Sequence, residues 1–360
     1  MTTTSEVDLL DYVITGDWLD AQHYPPVKFA VPGLIPEGFG LLTGPPKAGK
    51  SWAVMGLGLA VASGGKAFGH IDVGKPRPVL YLALEDGERR VQSRARHLLH
   101  DAPIPARMNF VTDVPPLLVL DVLDAWLDAN AGQTPLVILD TLGRVMPSSR
   151  PGESAYERDY RIGTKLKRST DAHPGSTLLV VHHVRKATGD DWMDSTSGTN
   201  GLNGSADFTV NLSRDRNSDE GLIRVTGRDV IEGEYSVTVT DGAWTLSGES
   251  LDAAAQAAQQ TKATRNLSDD AAAIVRYATD HGPVSPQAIA TALDLPGTTV
   301  RQYCLRAVDT DRLQKYGRGL YGPVTSVTSV TNSEHDPDNV TVVTDVTAPL
   351  NVLAFERNHQ

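Results

Sequence analysis

The chain has 360 residues, 40% hydrophobic and 21% charged, with a formal net charge of −11. These values exclude a fibrous chain and a chain coated all over in basic residues, and the length predicts two domains plus tails. Cys304 is the one cysteine, so no intramolecular disulfide and no Cys-rich zinc site can form, which fits a reducing compartment.

The acidic balance still leaves room for nucleic acid, because one basic helix or channel can sit on an acidic protein. Residues 1–30 read as an N-terminal arm, with GDWLDAQHYPPVKFAVPG rich in Pro and aromatics. Its first residues, MTTTSEVDLLDY, are acidic and lack a basic-then-apolar leader pattern. The first domain is expected over 31–248. It opens on the strand GFGLLTG, then a Gly/Pro loop, then the apolar run WAVMGLGLAVASGG over residues 52–65. That run is too short to span a bilayer and reads as a buried helix, so a cytoplasmic protein without a membrane partner is expected.

Strands and helices then alternate. RPVLYLALED is a strand and GERRVQSRARHLLH a helix with a basic outer face. MNFVTD is a short strand, and VLDVLDAWLDANAG is a helix with Gly132 as its C-cap. PLVILDTL and STLLVVHHV are near-continuous apolar strands of the parallel type, separated by the helix SAYERDYRIGTKLKRSTDA. From residue 205 the segments ADFTVNLSRD, GLIRVTGRD, EYSVTVTDG and AWTLSG read as successive strands. The pattern predicts an α/β fold: a mostly parallel sheet flanked by helices and extended by the later strands. Residues 249–265, rich in Ala and Gln, are expected to be a linker or an exposed helix. A small domain is expected over 266–323. The Val/Thr-rich stretch 324–360 is expected to be a disordered low-complexity tail or an added edge strand.

Residues 44–51, GPPKAGKS, satisfy G-x-x-x-x-G-K-[ST] between a strand and a helix. Gly44, Pro45, Pro46, Lys47, Ala48, Gly49, Lys50, Ser51 and Trp52 are the candidate nucleotide-binding residues, with the backbone N–H groups around Lys47 to Ser51 to wrap the phosphates of ATP. Lys50 is to reach the outer phosphates and the Ser51 hydroxyl is to bind Mg2+. The two prolines come before the donors that matter most and stiffen the rising side of the loop. Asp140, at the tip of PLVILD and expected beside the loop, is the second candidate for the magnesium shell. Glu85, 35 residues after Lys50 (85 − 50), ends its strand where a carboxylate can activate the attacking water; Asp86 is its immediate rival. His183 is the candidate γ-phosphate sensor, ahead of His182. A shared metal on this pair is rejected because adjacent strand residues face opposite ways.

Together, the 44–51 loop, YLALED, VILDTLGRV, VVHHVRK and GLNGSADFTVNLSRDR resemble the RecA/DnaB-like ATPases, most closely the RepA-like plasmid and phage replicative helicase branch. The resemblance covers about residues 30–248 and keeps the motif order. It implies a RecA-like P-loop NTPase core and an ATP hydrolase with Lys50, Glu85, Asp140 and His183 in the family's roles. It further implies a homo-oligomer, a hexameric ring, whose sites are completed by a neighbour's arginine. Arg228 and Arg214 are the candidates, Arg228 ahead. The loop after His183, residues 185–204, corresponds to one that contacts single-stranded DNA, with Arg185 and Lys186 for phosphates and Trp192 for stacking, though Asp190, Asp191 and Asp194 dilute its charge. A second loop carries Arg144 and Arg150.

Residues 266–323 look like a winged helix-turn-helix domain. Ser268 and Ser285 are N-caps, Pro286 opens the second helix, and QKYGRGLYGPV is the wing around Gly317 and Gly319. Arg301, Gln302 and Arg306 of the third helix, near Thr298 and Thr299, and Lys315 and Arg318 of the wing are candidate contacts to duplex DNA. The expected function is a ring-forming DNA helicase or related replication motor. The alternatives are an ATP-regulated DNA-binding protein and a recombinase-like filament former without unwinding activity. A metabolic P-loop kinase fits the late arginines less well.

Overall fold

The structure, a computed structural model, describes residues 9–183, 201–214, 218–264 and 267–324. In chain order a 3-10 turn (Leu9–Tyr12) is followed by α1 (Gly16–Asp20) and the ribbon β1 (Phe29–Val31) and β2 (Ile35–Pro36). Next come β3 (Gly38–Gly44), α2 (Lys50–Ser63) and a second ribbon, β4 (Lys66–Ala67) with β5 (Ile71–Asp72). The alternation continues with β6 (Val79–Ala83), α3 (Glu88–Leu98), β7 (Met108–Val111), α4 (Val119–Ala129), β8 (Leu136–Asp140), α5 (Ala155–Asp171) and β9 (Thr177–His183). After α6 (Gly201–Ser205) four strands run consecutively: β10 (Phe208–Arg214), β11 (Glu220–Gly227), β12 (Gly233–Thr240) and β13 (Ala243–Leu246).

Nine of these strands form one sheet in the order β13-β12-β11-β10-β3-β9-β8-β6-β7. From β10 to β7 every pair is parallel. From β10 outwards to β13 every pair is antiparallel. The residue patterns account for this division. All residues of LVILD in β8 and VLYLA in β6 are buried, because helices cover both faces. In β12 Tyr235, Val237 and Val239 are buried while Thr238 and Thr240 are exposed, the period-2 pattern of a strand with one wet face.

The same period sorts the core into two layers. Leu42, Tyr81, Ile138 and Leu179 pack on one face with Val54, Leu57 and Val61 of α2. Leu41, Leu82, Leu139 and Val180 pack on the other with Leu123 of α4 and Leu166 of α5. Because α2 is buried nearly all round, its sequence shows no polar face. Helix α4 ends at Asn130 as its C-cap, and Gly132, which the sequence pattern makes the cap, takes its left-handed conformation two residues further on.

The 249–265 stretch is not slack chain. It forms α7 (Leu251–Thr264), which lays Ala254 and Ala258 into the core beside β12. A smaller three-helix unit follows: α8 (Asp269–Asp280), α9 (Pro286–Leu293) and α10 (Gly297–Asp309), with the ribbon β14 (Gln314–Lys315) and β15 (Tyr321–Gly322). Ser268 and Ser285 accept the N–H groups of Ala271 and Ala288, so both cap their helices. Ile274, Ile289, Val300, Cys304, Leu313 and Tyr321 make its core. Among the described residues no helix is long and apolar enough to cross a membrane.

Candidate nucleotide-binding and hydrolysis site

Strand β3 delivers the chain to the carboxyl edge of the sheet at Gly44, and the 45–49 loop turns it into α2. The turn needs left-handed backbone at Lys47 (φ 67°) and at Gly49 (φ 99°), the residue that caps α2. No side chain caps this helix. Among the described residues the N–H groups of Lys47, Gly49, Lys50 and Ser51 have no protein acceptor, whereas Ala48 donates to the Pro45 carbonyl (3.2 Å). Unpartnered N–H groups at the positive end of a helix form a nest for an anion. The prolines remove none of those donors, and the Pro45 carbonyl helps to hold the lysine: Lys50 Nζ donates to Gly44 O (2.7 Å) and Pro45 O (3.0 Å).

Lys50 is buried, and burial pulls its ammonium down to about 8, against the opposing pull of Asp140 and Glu85. Asp140 is buried as well. Its carboxyl is raised by desolvation, while hydrogen bonds from Ser51 and from Tyr81 Oη (2.8 Å to Oδ2) lower it and the nearby Glu85 and Asp86 raise it. Ser51 and Asp140 thus stand in contact next to the phosphate nest. That pair fits the oxygen-only, partly hydrated shell that Mg2+ takes beside nucleotide phosphates. Ser51 and Asp140 would hold a magnesium ion there, which would supply positive charge against the nucleotide phosphates. Among the described residues no cluster of three or more His, Cys, Asp or Glu side chains suits any other metal.

Asp140 meets the loop serine although its strand is not the loop strand's neighbour: β9 lies between β3 and β8. The parallel registers set Gly44 beside His183, Asp140 beside Val181, and Ala83 beside Asp140. The strand tips therefore line up along the carboxyl edge in the order loop, His183, Asp140, Glu85. Glu85 lies just past β6, and Thr141 Oγ1 donates to its Oε1 (3.0 Å). Its rival Asp86 is occupied. Although burial works against ionisation, hydrogen bonds from Arg90 (2.9 Å) and Arg94 (2.7 Å) keep Asp86 below the usual carboxylate range. Glu85 is the carboxylate of the two that faces the site without an arginine clamp.

Trp52 is set in packing. Arg94 lies over its ring at 5.4 Å, His97 meets it edge-on at 5.5 Å, and Gly242 closes on its other side. It binds α2 to α3 and to the β12–β13 turn, where His97 Nε2 contacts the Asp241 carbonyl (3.0 Å). Residues that motif reading misses stand behind the site: Tyr81, Thr141, and the chain Thr43–Asn211–Arg224–Glu234, buried at Thr43 and Asn211 and partly exposed at Arg224 and Glu234. Only Tyr81 had a sequence signal, a hydroxyl in the middle of an otherwise apolar strand.

The two arginines lie at opposite edges. Arg214 ends β10 on the same edge as the phosphate loop, three residues past Asn211, the partner of Thr43. Arg228 follows antiparallel β11 at the amino edge, where its side chain is 63% exposed and touches Asp207 at 3.5 Å. Arg144 and Arg150 are exposed on the loop after β8, which Glu153 anchors through Arg161 (2.8 Å). In the smaller unit Arg301, Gln302, Arg306, Lys315 and Arg318 are all exposed. Arg185, Lys186 and Trp192 lie outside the described residues.

A glycine-turned phosphate nest, a buried acid touching the loop serine and a carboxylate past the adjoining strand define a P-loop ATPase site on a mostly parallel, helix-flanked sheet. A family model described as "AAA domain" matches residues 3–189, just over half of the chain, and the chain belongs to that family. Among solved structures it is similar to "ATPase Domain of G40P", at 12% identity and a TM-score of 0.46, over 58% of this chain and 84% of that one. It is also similar to a structure described as a DnaB-like replicative helicase and its interactions with primase, at 13% identity and a TM-score of 0.46, over 58% of each chain. No curated protein matches.

Proposed function

We propose that the protein is an ATP-driven motor that acts on DNA as a ring of identical subunits, in the manner of a replicative helicase. The observation that carries this reading is the separation of Arg228 from its own phosphate loop. Strand β3 alone puts seven residues, roughly 23 Å at about 3.3 Å each, between the two edges of the sheet. An exposed arginine on the amino edge can serve only the loop of another copy. In such a copy it would offset charge on the transferring phosphoryl group, with Glu85 activating water and Lys50 neutralising the outer phosphates. Arg214, on the loop's own edge, suits a cis role. The N-terminal arm adds support, since Leu10, Tyr12, Val13 and Ile14 are more than half exposed, a run of apolar surface suited to burial against another subunit.

A second reading rests on the smaller unit. It has the order of a winged helix-turn-helix, and α10 turns Val300, Cys304 and Ala307 inwards while Arg301, Gln302 and Arg306 face outwards. Duplex binding through that face, with ATP controlling assembly, describes a regulator. ATP turnover with and without single-stranded DNA separates the two. The motor predicts strong stimulation, with turnover lost in Glu85→Gln while ATP still binds. Turnover that ignores single-stranded DNA, together with tight binding of one duplex sequence, favours the regulator. Unchanged turnover in Glu85→Gln rejects Glu85 as the base.

A further inference from the structure

The segments that lead into β6, β7 and β8 meet at the amino edge of the sheet, opposite the phosphate loop. There they line a cavity of about 420 Å³. Four cations border it, Lys28, Lys75, Arg77 and Arg107, and no Asp or Glu does. On a chain with a net charge of −11 this grouping is not background. None of the four makes an ion pair among the described residues. Glu37, close by, accepts the backbone N–H of Lys28 (3.0 Å). Arg107 reaches the amide of Gln133 at 3.4 Å.

Arg77 is the most enclosed of the four. It donates to the carbonyls of Phe29 (3.0 Å) and Ala30 (2.8 Å), and its Nε is buried without a partner. Two carbonyls fix the plane of the guanidinium but leave its charge uncompensated, and burial lowers its proton affinity. A desolvated cation is ordinarily paired with a carboxylate or an anion. Convergent guanidinium and ammonium groups in an open cavity match the several oxygens of a phosphate better than one carboxylate. Ligands of parallel α/β sheets otherwise gather at the carboxyl edge, so this site is separate from the nucleotide loop.

We propose that the Lys28–Lys75–Arg77–Arg107 cavity binds a phosphate-bearing ligand. The phosphates come either from a free polyphosphate or nucleotide or from the backbone of a nucleic acid strand. Two titrations of the full chain, with the nucleotide loop saturated by ADP and Mg2+, separate these sources. In the first, tripolyphosphate is titrated calorimetrically into the wild type and into a Lys75→Glu/Arg107→Glu variant. In the second, a labelled oligothymidylate is titrated by anisotropy across a salt series. A free phosphate ligand predicts tripolyphosphate binding that weakens about tenfold or more in the variant. A strand predicts weaker oligothymidylate binding, with the slope of log affinity against log salt reduced by about 1.4, about 0.7 for each cation on a single strand. ADP binding by the variant checks its fold. If charge reversal unfolds it, Lys75→Gln/Arg107→Gln gives the same readouts. Two titrations that do not distinguish variant from wild type overturn the proposal.

Discussion

Lys50 carries its charge into a site where, without a nucleotide, two carbonyls and a distant pair of acids are its company. Its folded pKa of about 8 lies below the unfolded 10.5, so the unfolded chain takes up the proton first as pH falls between those values. Stability contributed by the uncharged form is therefore present above pH 10.5 and lost by about pH 8. Lys50→Met is expected to melt no lower than the wild type near neutral pH without nucleotide, with an advantage that fades towards pH 10.5. The same variant is expected to lose the stabilisation by ADP and Mg2+, on the order of 3 kcal/mol at a hundredfold excess over Kd, as thermal scans will show. Tyr81 acts one step back from the chemistry, as the donor that holds Asp140 Oδ2. Tyr81→Phe removes a bond that lowers the Asp140 pKa. The acid limb of the kcat/KM profile should then move to higher pH, and the Mg2+ needed for half-maximal turnover should rise about tenfold, the scale of one hydrogen bond to a charged group. A fall in kcat with neither shift would make Tyr81 merely structural.

At the scale of elements, α2, α3 and the β12–β13 turn are locked around Trp52. A Cβ at Gly242 would lie 2.4 Å from the Trp52 ring, at a φ of 84°. Gly242→Ala is expected to lower the urea midpoint by about 1–3 kcal/mol of stability and to change Trp fluorescence, since both the clash and the backbone strain fall on one contact. Much of this layer could be read beforehand. The loop, the runs YLALED and VILD and the caps Ser268 and Ser285 carry local signals, namely glycine turns, near-continuous apolar strands and short side chains with a reachable N–H. What could not be read depends on partners far along the chain. The insertion of β9 between β3 and β8 is a matter of strand order, which local patterning does not encode. The packing of the Trp52 ring could not be read because the residues that claim it come 42 to 190 positions later (Arg94, 94 − 52; Gly242, 242 − 52). The Ala-rich α7 read as a linker or an exposed helix because alanine packing on β12 leaves a weak apolar stripe.

For the whole molecule, the carboxyl edge bears the loop, Asp140 and Glu85, and the amino edge bears Arg228. If Arg228 acts on a neighbour's loop, an equimolar mixture of Arg228→Ala and Lys50→Ala chains should recover part of the turnover that each lacks alone. In some contacts an intact loop then meets an intact arginine. A dead mixture would place the essential arginine in cis. The arrangement also limits the symmetry of any assembly. A two-fold dimer can seat each chain's amino edge on the other's carboxyl edge only where one patch spans both edges, whereas a ring or stack uses the two edges as separate patches. If the contact is head-to-tail, every open stack ends in one incomplete site. Turnover per subunit would climb with protein concentration and level off when the stack closes on itself, so dilution alone would switch the protein off.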